Sequence, residues 1–182
     1  MKKAIGMVEF KTVSSGMRAA DLMVKTAEVD IIQADTVCPG KFLVIISGAL
    51  SAVRASVDAA KLSDPEQLID SFVLGNPHDS IFTALYGATD IGEPNALGVI
   101  ETFSAASAVV AADTAAKTAL VDLIELRLAR GMCGKSYLLM TGEIAAVQAA
   151  VDRAKAGAGQ DGMLLDIAII PHPDKKLWQN IL

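Results

Sequence analysis

"PGKFLVIISGALSAVRASVDAAK", Pro39 to Lys61, returns further along the chain as "CGKSYLLMTGEIAAVQAAVDRAK", Cys133 to Lys155. The glycines fix the register, Gly40 with Gly134 and Gly48 with Gly142, at an offset of 94. Each stretch reads as one supersecondary unit. A turn leads into a buried strand rich in β-branched residues over Phe42–Ser47. A helix over Ala49–Lys61 then carries Leu50, Val53 and Val57 on one stripe. The match runs through polar and apolar positions alike, which marks a duplication.

The repeat extends outward over the whole chain. "AIGMVEF" from Ala4 reappears as "ALGVIETF" from Ala96, with Gly6/Gly98, Glu9/Glu101, Asp21/Asp113, Lys25/Lys117 and Asp30/Asp122 in step at an offset of 92. The change from 92 to 94 puts two extra residues into the second copy, between Ile124 and Gly134. The copies close with "FVLGNPHD" and "AIIPHPD", and the Gly/Pro/Asn-rich "GATDIGEPN", Gly87 to Asn95, joins them. The chain thus divides into a first domain over 1–88, a linker over 89–94 and a second domain over 95–182. Domains of roughly 85–90 residues are marginal by surface-to-volume scaling, and a shared interface offsets that weakness.

The element order is the same in both copies. In the first, Ala4–Phe10 reads as a strand and Gly16–Ala27 as a helix with Ser14 or Ser15 as its N-cap. Val29–Val37 reads as a strand, Cys38–Lys41 as a turn, and Asp70–Leu74 as the last strand after the helix already described. The order β-α-β-β-α-β predicts an α+β fold, built as two tandem ferredoxin-like domains or a permuted relative, with one sheet face packed on two helices.

Apolar residues make up 52% of the chain but aromatics only 4%, so the core is built from small aliphatic units. A mean hydropathy of +0.43 leaves surplus apolar surface, which points to burial between subunits. No run approaches the roughly 20 apolar residues of a membrane span. Met1-Lys2-Lys3 is followed by Glu9 and Lys11 and lacks the apolar core of a signal peptide, so the expected compartment is the cytoplasm, where thiols stay reduced. The net charge of -5 without a basic stripe argues against nucleic acid. No nucleophile elbow, Walker loop, zinc-protease or dinucleotide motif occurs, which argues against an enzyme. "AGAGQDG", Ala156 to Gly162, lacks the phosphate loop's Lys-Ser/Thr ending and reads as a helix-to-strand loop. Glu9, Glu101, Asp21 and Asp113 recur as duplicated scaffold better than as an acid/base pair. His78 and His172, beside prolines, read as structural, and Trp178 as an anchor onto a neighbouring domain or subunit.

"ALGVIE", the pair "AADLMVKTAEV" and "AADTAAKTALV", the two Gly-Lys-to-helix stretches and the closing Pro/His segments resemble the bacterial microcompartment shell domain. Two copies in one chain resemble the tandem-domain shell proteins, whose trimers form pseudohexagonal tiles. "CPGKF", Cys38 to Phe42, is similar to the iron–sulfur type found in the propanediol-utilisation compartment.

The resemblance implies a structural tile that assembles edge to edge with other shell proteins, localised to a microcompartment shell in the cytoplasm, with no membrane. It implies that Cys38, Pro39 and Gly40, and Met132, Cys133 and Gly134 of the second copy, line the pore on the symmetry axis. Lys25 and Lys117 correspond to the tile-edge lysine. Asn76 and His172 stand where family members often carry an edge arginine.

Iron–sulfur clusters take mainly cysteine thiolates, typically four, and this chain has two cysteines. A homotrimer brings three copies of one residue to an axis. Three Cys38 thiolates would hold three irons of one [4Fe–4S] cluster per trimer, with Pro39 and Gly40 setting the turn. The implied role is electron transfer across the shell, or cluster supply to an enclosed redox enzyme. Read from the residues alone, without the resemblance, Cys38 is a small, reduced and inert thiol in a turn. Cys133 aligns with Pro39 and stays open as a spare thiol, a neighbour of the cluster, or a ligand in place of Cys38. Two alternatives remain beside the cluster. One is the same tile with an open or gated metabolite pore; the other is a trimeric ferredoxin-like ligand-binding or regulatory protein.

Overall fold

The computed structural model describes residues 4–158 and 162–182. Met1-Lys2-Lys3 and the centre of the loop expected over Ala156–Gly162 lie outside the described residues. The first copy runs β1 (Ala4–Phe10), α1 (Val13–Thr26), β2 (Val29–Val37), β3 (Lys41–Gly48), α2 (Leu50–Ser63), β4 (Leu68–Leu74) and α3 (Ser80–Leu85). The second runs β5 (Ala96–Thr102), α4 (Ala105–Thr118), β6 (Asp122–Arg127), β7 (Ser136–Gly142), α5 (Ile144–Ala158), β8 (Leu164–Ile170) and α6 (Lys175–Ile181).

Each copy forms an antiparallel four-stranded sheet, ordered β2-β3-β1-β4 and β6-β7-β5-β8. This is the ferredoxin-like order without permutation, extended by a short closing helix that the sequence pattern does not reveal. The duplication reaches fine detail. The second strand of each copy breaks register at aligned places, between Ile31 and Gln33 and between Leu123 and Glu125.

Helix α1 begins earlier than its apolar stripe. Thr12, and neither Ser14 nor Ser15, is the N-cap: its backbone is extended and its hydroxyl accepts from the Ser15 amide at 3.4 Å. A cap sits two or three residues ahead of the amide it satisfies, and here Ser15 is the capped residue.

The core follows the pleat. Alternate residues of β1 and β3, among them Val8, Phe10, Val44 and Ile46, meet Met23 of α1 and Val53 and Val57 of α2. Gly6 allows that approach: a Cβ there would lie 2.7 Å from methyls of both Val53 and Val57. Gly98 does the same for Val147 at 2.8 Å.

The reverse faces of the sheets differ, which corrects the expectation of a single packed face. In the first sheet Ile5, Met7, Glu9, Leu43 and Ile45 are fully buried as well. In the second, the aligned Val99, Glu101, Tyr137 and Leu139 are half-exposed. Helix α6 covers another part of that face by laying Trp178 on Leu97 and Ile124. Trp178 therefore anchors its own sheet, and not a neighbouring domain or subunit as its terminal position suggested.

Compact units and sequence repeats are different divisions of this chain. One unit comprises the residues up to Pro77 with Ser104–Ala106 and Ala129–Gly134; the other comprises His78–Phe103, Ser107–Leu128 and Lys135–Leu182. The start of α4 and the β6–β7 loop thus belong to the unit built on the first sheet, and α3, whose Ile81 and Ala84 are fully buried, packs on β6 in the other. No described helix is long and apolar enough to cross a membrane.

Candidate functional site

The Cys38 turn is built from both copies. β2 ends at Val37, whose carbonyl accepts from the Gly40 amide at 2.9 Å, and Gly40 takes a left-handed φ of 99° that favours glycine. The Cys38 amide donates to the Ala129 carbonyl at 3.0 Å, so the second copy's loop fixes the turn directly. Arg130 of that loop pairs with Asp35. Together these residues form a shallow cleft of ≈ 360 Å³ lined by Thr36, Val37, Cys38, Pro39, Gly40, Arg130 and Gly131. Cys38 is half-buried and its thiol is free.

The aligned loop of the second copy differs. Cys133, exposed and free, sits at a φ of 52°, a left-handed conformation that the aligned Pro39 cannot adopt. Gly134 repeats Gly40 with a φ of 88°. The connection is Leu128–Lys135, against Cys38–Gly40 in the first copy, because two residues are extra and because β6 ends earlier and β7 begins later than the aligned β2 and β3. The structure therefore brings Cys38 and the Met132-Cys133-Gly134 segment into one compact unit, on turns of unlike shape. Among the described residues, no group of three or more His, Cys, Asp or Glu side chains converges as a metal site.

Behind the turn lies an ion pair that the sequence reading assigned to duplicated scaffold. Glu9, at 0% exposure, accepts from the Lys41 ammonium at 3.0 Å through one oxygen and from the Ala105 amide at 3.2 Å through the other. Lys41 also reaches the Gly134 carbonyl at 3.3 Å. Beside it, the Ser104 hydroxyl donates to Asp70. Ala105 is the first residue of α4, so Glu9 meets the positive end of a helix. Burial pushes the Glu9 carboxyl above its ordinary range, Lys41 and the Ala105 amide pull it back, and nearby Asp70 adds to the rise. The signal was present in the sequence, since Glu101 and Lys135 repeat the pair; burial is what the pattern could not supply.

The two lysines matched to a tile edge each pair one helical turn back. Lys25 meets Asp21 at 2.6 Å, both well exposed. Lys117 meets Asp113 at 2.6 Å, but Asp113 is buried and also accepts from the His78 amide at 2.8 Å. The His78 ring bonds the Ser80 hydroxyl at the start of α3, a structural role as expected. On the second sheet, Tyr137 donates to Glu125 while Arg127 pairs with Glu125 at 2.7 Å and stacks over the Tyr137 ring.

The arrangement offers two free thiols per chain, Cys38 half-buried on a turn held by the second copy's loop and Cys133 exposed on that loop. The BMC domain model matches twice, over residues 4–77 and 96–173. The chain is 35% identical over 182 residues to the bacterial microcompartment shell protein PduT of Citrobacter freundii, covering 100% of this chain and 99% of that one. It is 33% identical over 82 residues to the shell protein PduA of the same organism, which spans 44% of this chain and 88% of that one. The crystal structure of a microcompartments protein from Desulfitobacterium hafniense DCB superposes with a TM-score of 0.87 at 44% identity, over 98% of this chain and 99% of that one. The chain belongs to the BMC domain family, carrying two domains in tandem in the manner of PduT-like bacterial microcompartment shell proteins.

Proposed function

We propose that the chain is a structural tile of a bacterial microcompartment shell, working as a homotrimer whose Cys38 residues hold one [4Fe–4S] cluster at the central axis. The tile reading rests on full-length similarity to PduT and on the two matched domains. Edge contacts with other shell proteins fall to Lys25 and Lys117, and Cys38–Gly40 with Met132–Gly134 line the axis.

The observation that carries the cluster reading is the state of Cys38: half-buried, free, and held on a rigid turn beside the Arg130 loop. One chain supplies one such thiol, so the residues fit the group as one third of a donor set, complete only by cyclic symmetry. Cys38 suits this better than Cys133, whose loop is longer and exposed and whose turn lacks Pro39. A bound cluster would supply one-electron transfer, across the shell or towards an enclosed redox enzyme. The protein's part is to hold the thiolates in register and to leave a face of the site accessible. No bond-making step by the tile itself is invoked.

Iron and acid-labile sulfide are to be quantified per trimer after anaerobic purification. The expected result is about four of each per trimer, with broad brown absorbance that Cys38→Ser abolishes while the trimer persists. An iron-free, colourless anaerobic trimer overturns the cluster and leaves the tile with an aqueous pore. Electron microscopy at high concentration tests the tile itself, with sheets or tubes expected and isolated particles counting against it.

A further inference from the structure

The contacts around Glu9 occur once in full and once in halves. In the first unit a receiving side, Glu9, Lys41 and Asp70, meets an inserting side, Ser104, the Ala105 amide and the Gly134 carbonyl. The repeat supplies both sides again. Glu101 and Asp166 stand in the aligned places on β5 and β8 and Lys135 immediately before β7, with Asp166 opposite Glu101 as Asp70 is opposite Glu9. Thr12, Val13 and Gly40 are the aligned inserting side: Val13 opens α1 as Ala105 opens α4, and Gly40 shares the left-handed turn of Gly134.

Within one chain the second receiving side is open. Lys135 stands 3.9 Å from Glu101, and their side chains are 43% and 32% exposed, against 17% and 0% for Lys41 and Glu9. The second inserting side is open as well. Met17, one turn into α1, is 57% exposed, whereas the aligned Val109 of α4 is fully buried. As the first helical residue, Val13 has an amide with no acceptor inside its own helix.

We infer that the Glu101–Lys135 pair of one chain receives the Thr12–Val13 helix start and the Gly40 turn of a second copy of this chain. The inference rests on the homotrimer reading and names its junction. Glu101 accepts from the Val13 amide of the neighbouring copy, and Lys135 donates to the Gly40 carbonyl of that copy. Carboxylate and helix N-terminus are complementary in charge, as they are around Glu9. The contact is heterologous, head to tail, and a ring closed by it presents each Cys38 turn against the Cys133 loop of the next chain. The Asp35–Arg130 pair has no counterpart in the repeat, because Arg127 and Thr36 stand in the aligned places, so it marks the junction made inside a chain.

The test measures the concentration for half-dissociation of the trimer by sedimentation velocity and mass photometry, for the full chain and three variants. Val13→Pro removes the amide donor and keeps an apolar side chain where Val13 packs on the core: proline suits the first helical position, and Thr12 already has the extended backbone a pre-proline residue adopts. Glu101→Ala removes the acceptor, and the double variant removes both. Losing a charge-assisted hydrogen bond weakens each junction about tenfold. Three junctions enter the dissociation constant, and the half-dissociation concentration varies as its square root, so it rises about thirtyfold. The double variant should be no weaker than the stronger single one, because both remove one bond. If Val13→Pro does not fold, judged by Trp178 fluorescence, Glu101→Ala carries the test alone. A parent trimer whose midpoint neither variant shifts overturns the latch and leaves the homotrimer standing. A parent that stays monomeric at every concentration overturns the homotrimer reading, and the latch with it.

Discussion

Replacing Lys41 by methionine isolates a buried charge. Methionine keeps most of the stem's volume but removes the ammonium that sits 3.0 Å from Glu9, and Glu9 is wholly shielded from water. Breaking a buried pair by removing one partner costs about 3–5 kcal/mol. The 17% exposure of Lys41 and the retained Ala105 amide favour the lower end, near 3 kcal/mol. For a chain of this length that corresponds to a fall in Tm of roughly 6–12 °C. The pH dependence gives the sharper signature. Burial raises the Glu9 carboxyl in the folded state above its unfolded value, so the native protein binds this proton more tightly. Its favourable contribution is present below the unfolded value and is lost as pH rises through the folded one. Without Lys41 the folded value rises further, so the deficit of Lys41→Met should shrink as pH falls from 7 towards 5. Urea unfolding at fixed protein concentration, with Glu9→Leu/Lys41→Met as the near-neutral control, measures both. A loss below about 1 kcal/mol at pH 7, or a deficit equal at pH 5 and 7, refutes the reasoning.

Three further outcomes are expected. Gly16→Ala gains about 1 kcal/mol of helix propensity, yet its Cβ would stand 2.4 Å from the Phe42 Cβ. Overpacking dominates, and urea unfolding should show a net loss of about 1–2 kcal/mol. Asp174→Ala removes the acceptor of the Lys176 amide at the start of α6 and should cost about 1 kcal/mol. Trp178, the one tryptophan, should report it as earlier thermal exposure in fluorescence. Tyr137 should ionise late in an absorbance titration, since burial and then its bond to Glu125 push its phenol up to about 12. Its share of stability is complete below the unfolded value near 10 and is lost as pH rises towards 12. A Tyr137→Phe variant should lack that late step.

Legibility followed the range of the interaction involved. β2 matches its sequence-read bounds because an extended, β-branched run between a helix and a Pro-Gly turn is a local signal. The start of α1 shifted because capping depends on one hydroxyl's geometry, and three nearby hydroxyls compete for it in the sequence. Helices α3 and α6 were missed because six or seven residues carry too few turns for a periodic pattern. Trp178 was given the wrong partner since an aromatic near a terminus advertises a contact without naming its surface. The Cys38 turn was marked by its Pro-Gly pair, while the Ala129 carbonyl and Arg130 that hold it lie 91 and 92 positions away, beyond any local pattern.

The duplication, the β-α-β-β-α-β order and the asymmetry between Cys38 and Met132 are all legible in register, periodicity or identity. The inequality of the two Glu–Lys pairs is a product of packing. Glu9–Lys41 is dry and capped by a helix amide, whereas Glu101–Lys135 is loose and half in water. The residue types are the same in both; what differs is the surface laid over them. That surface comes from chain segments distant in sequence, and solvent exclusion sets the strength of a charge far more than its identity does.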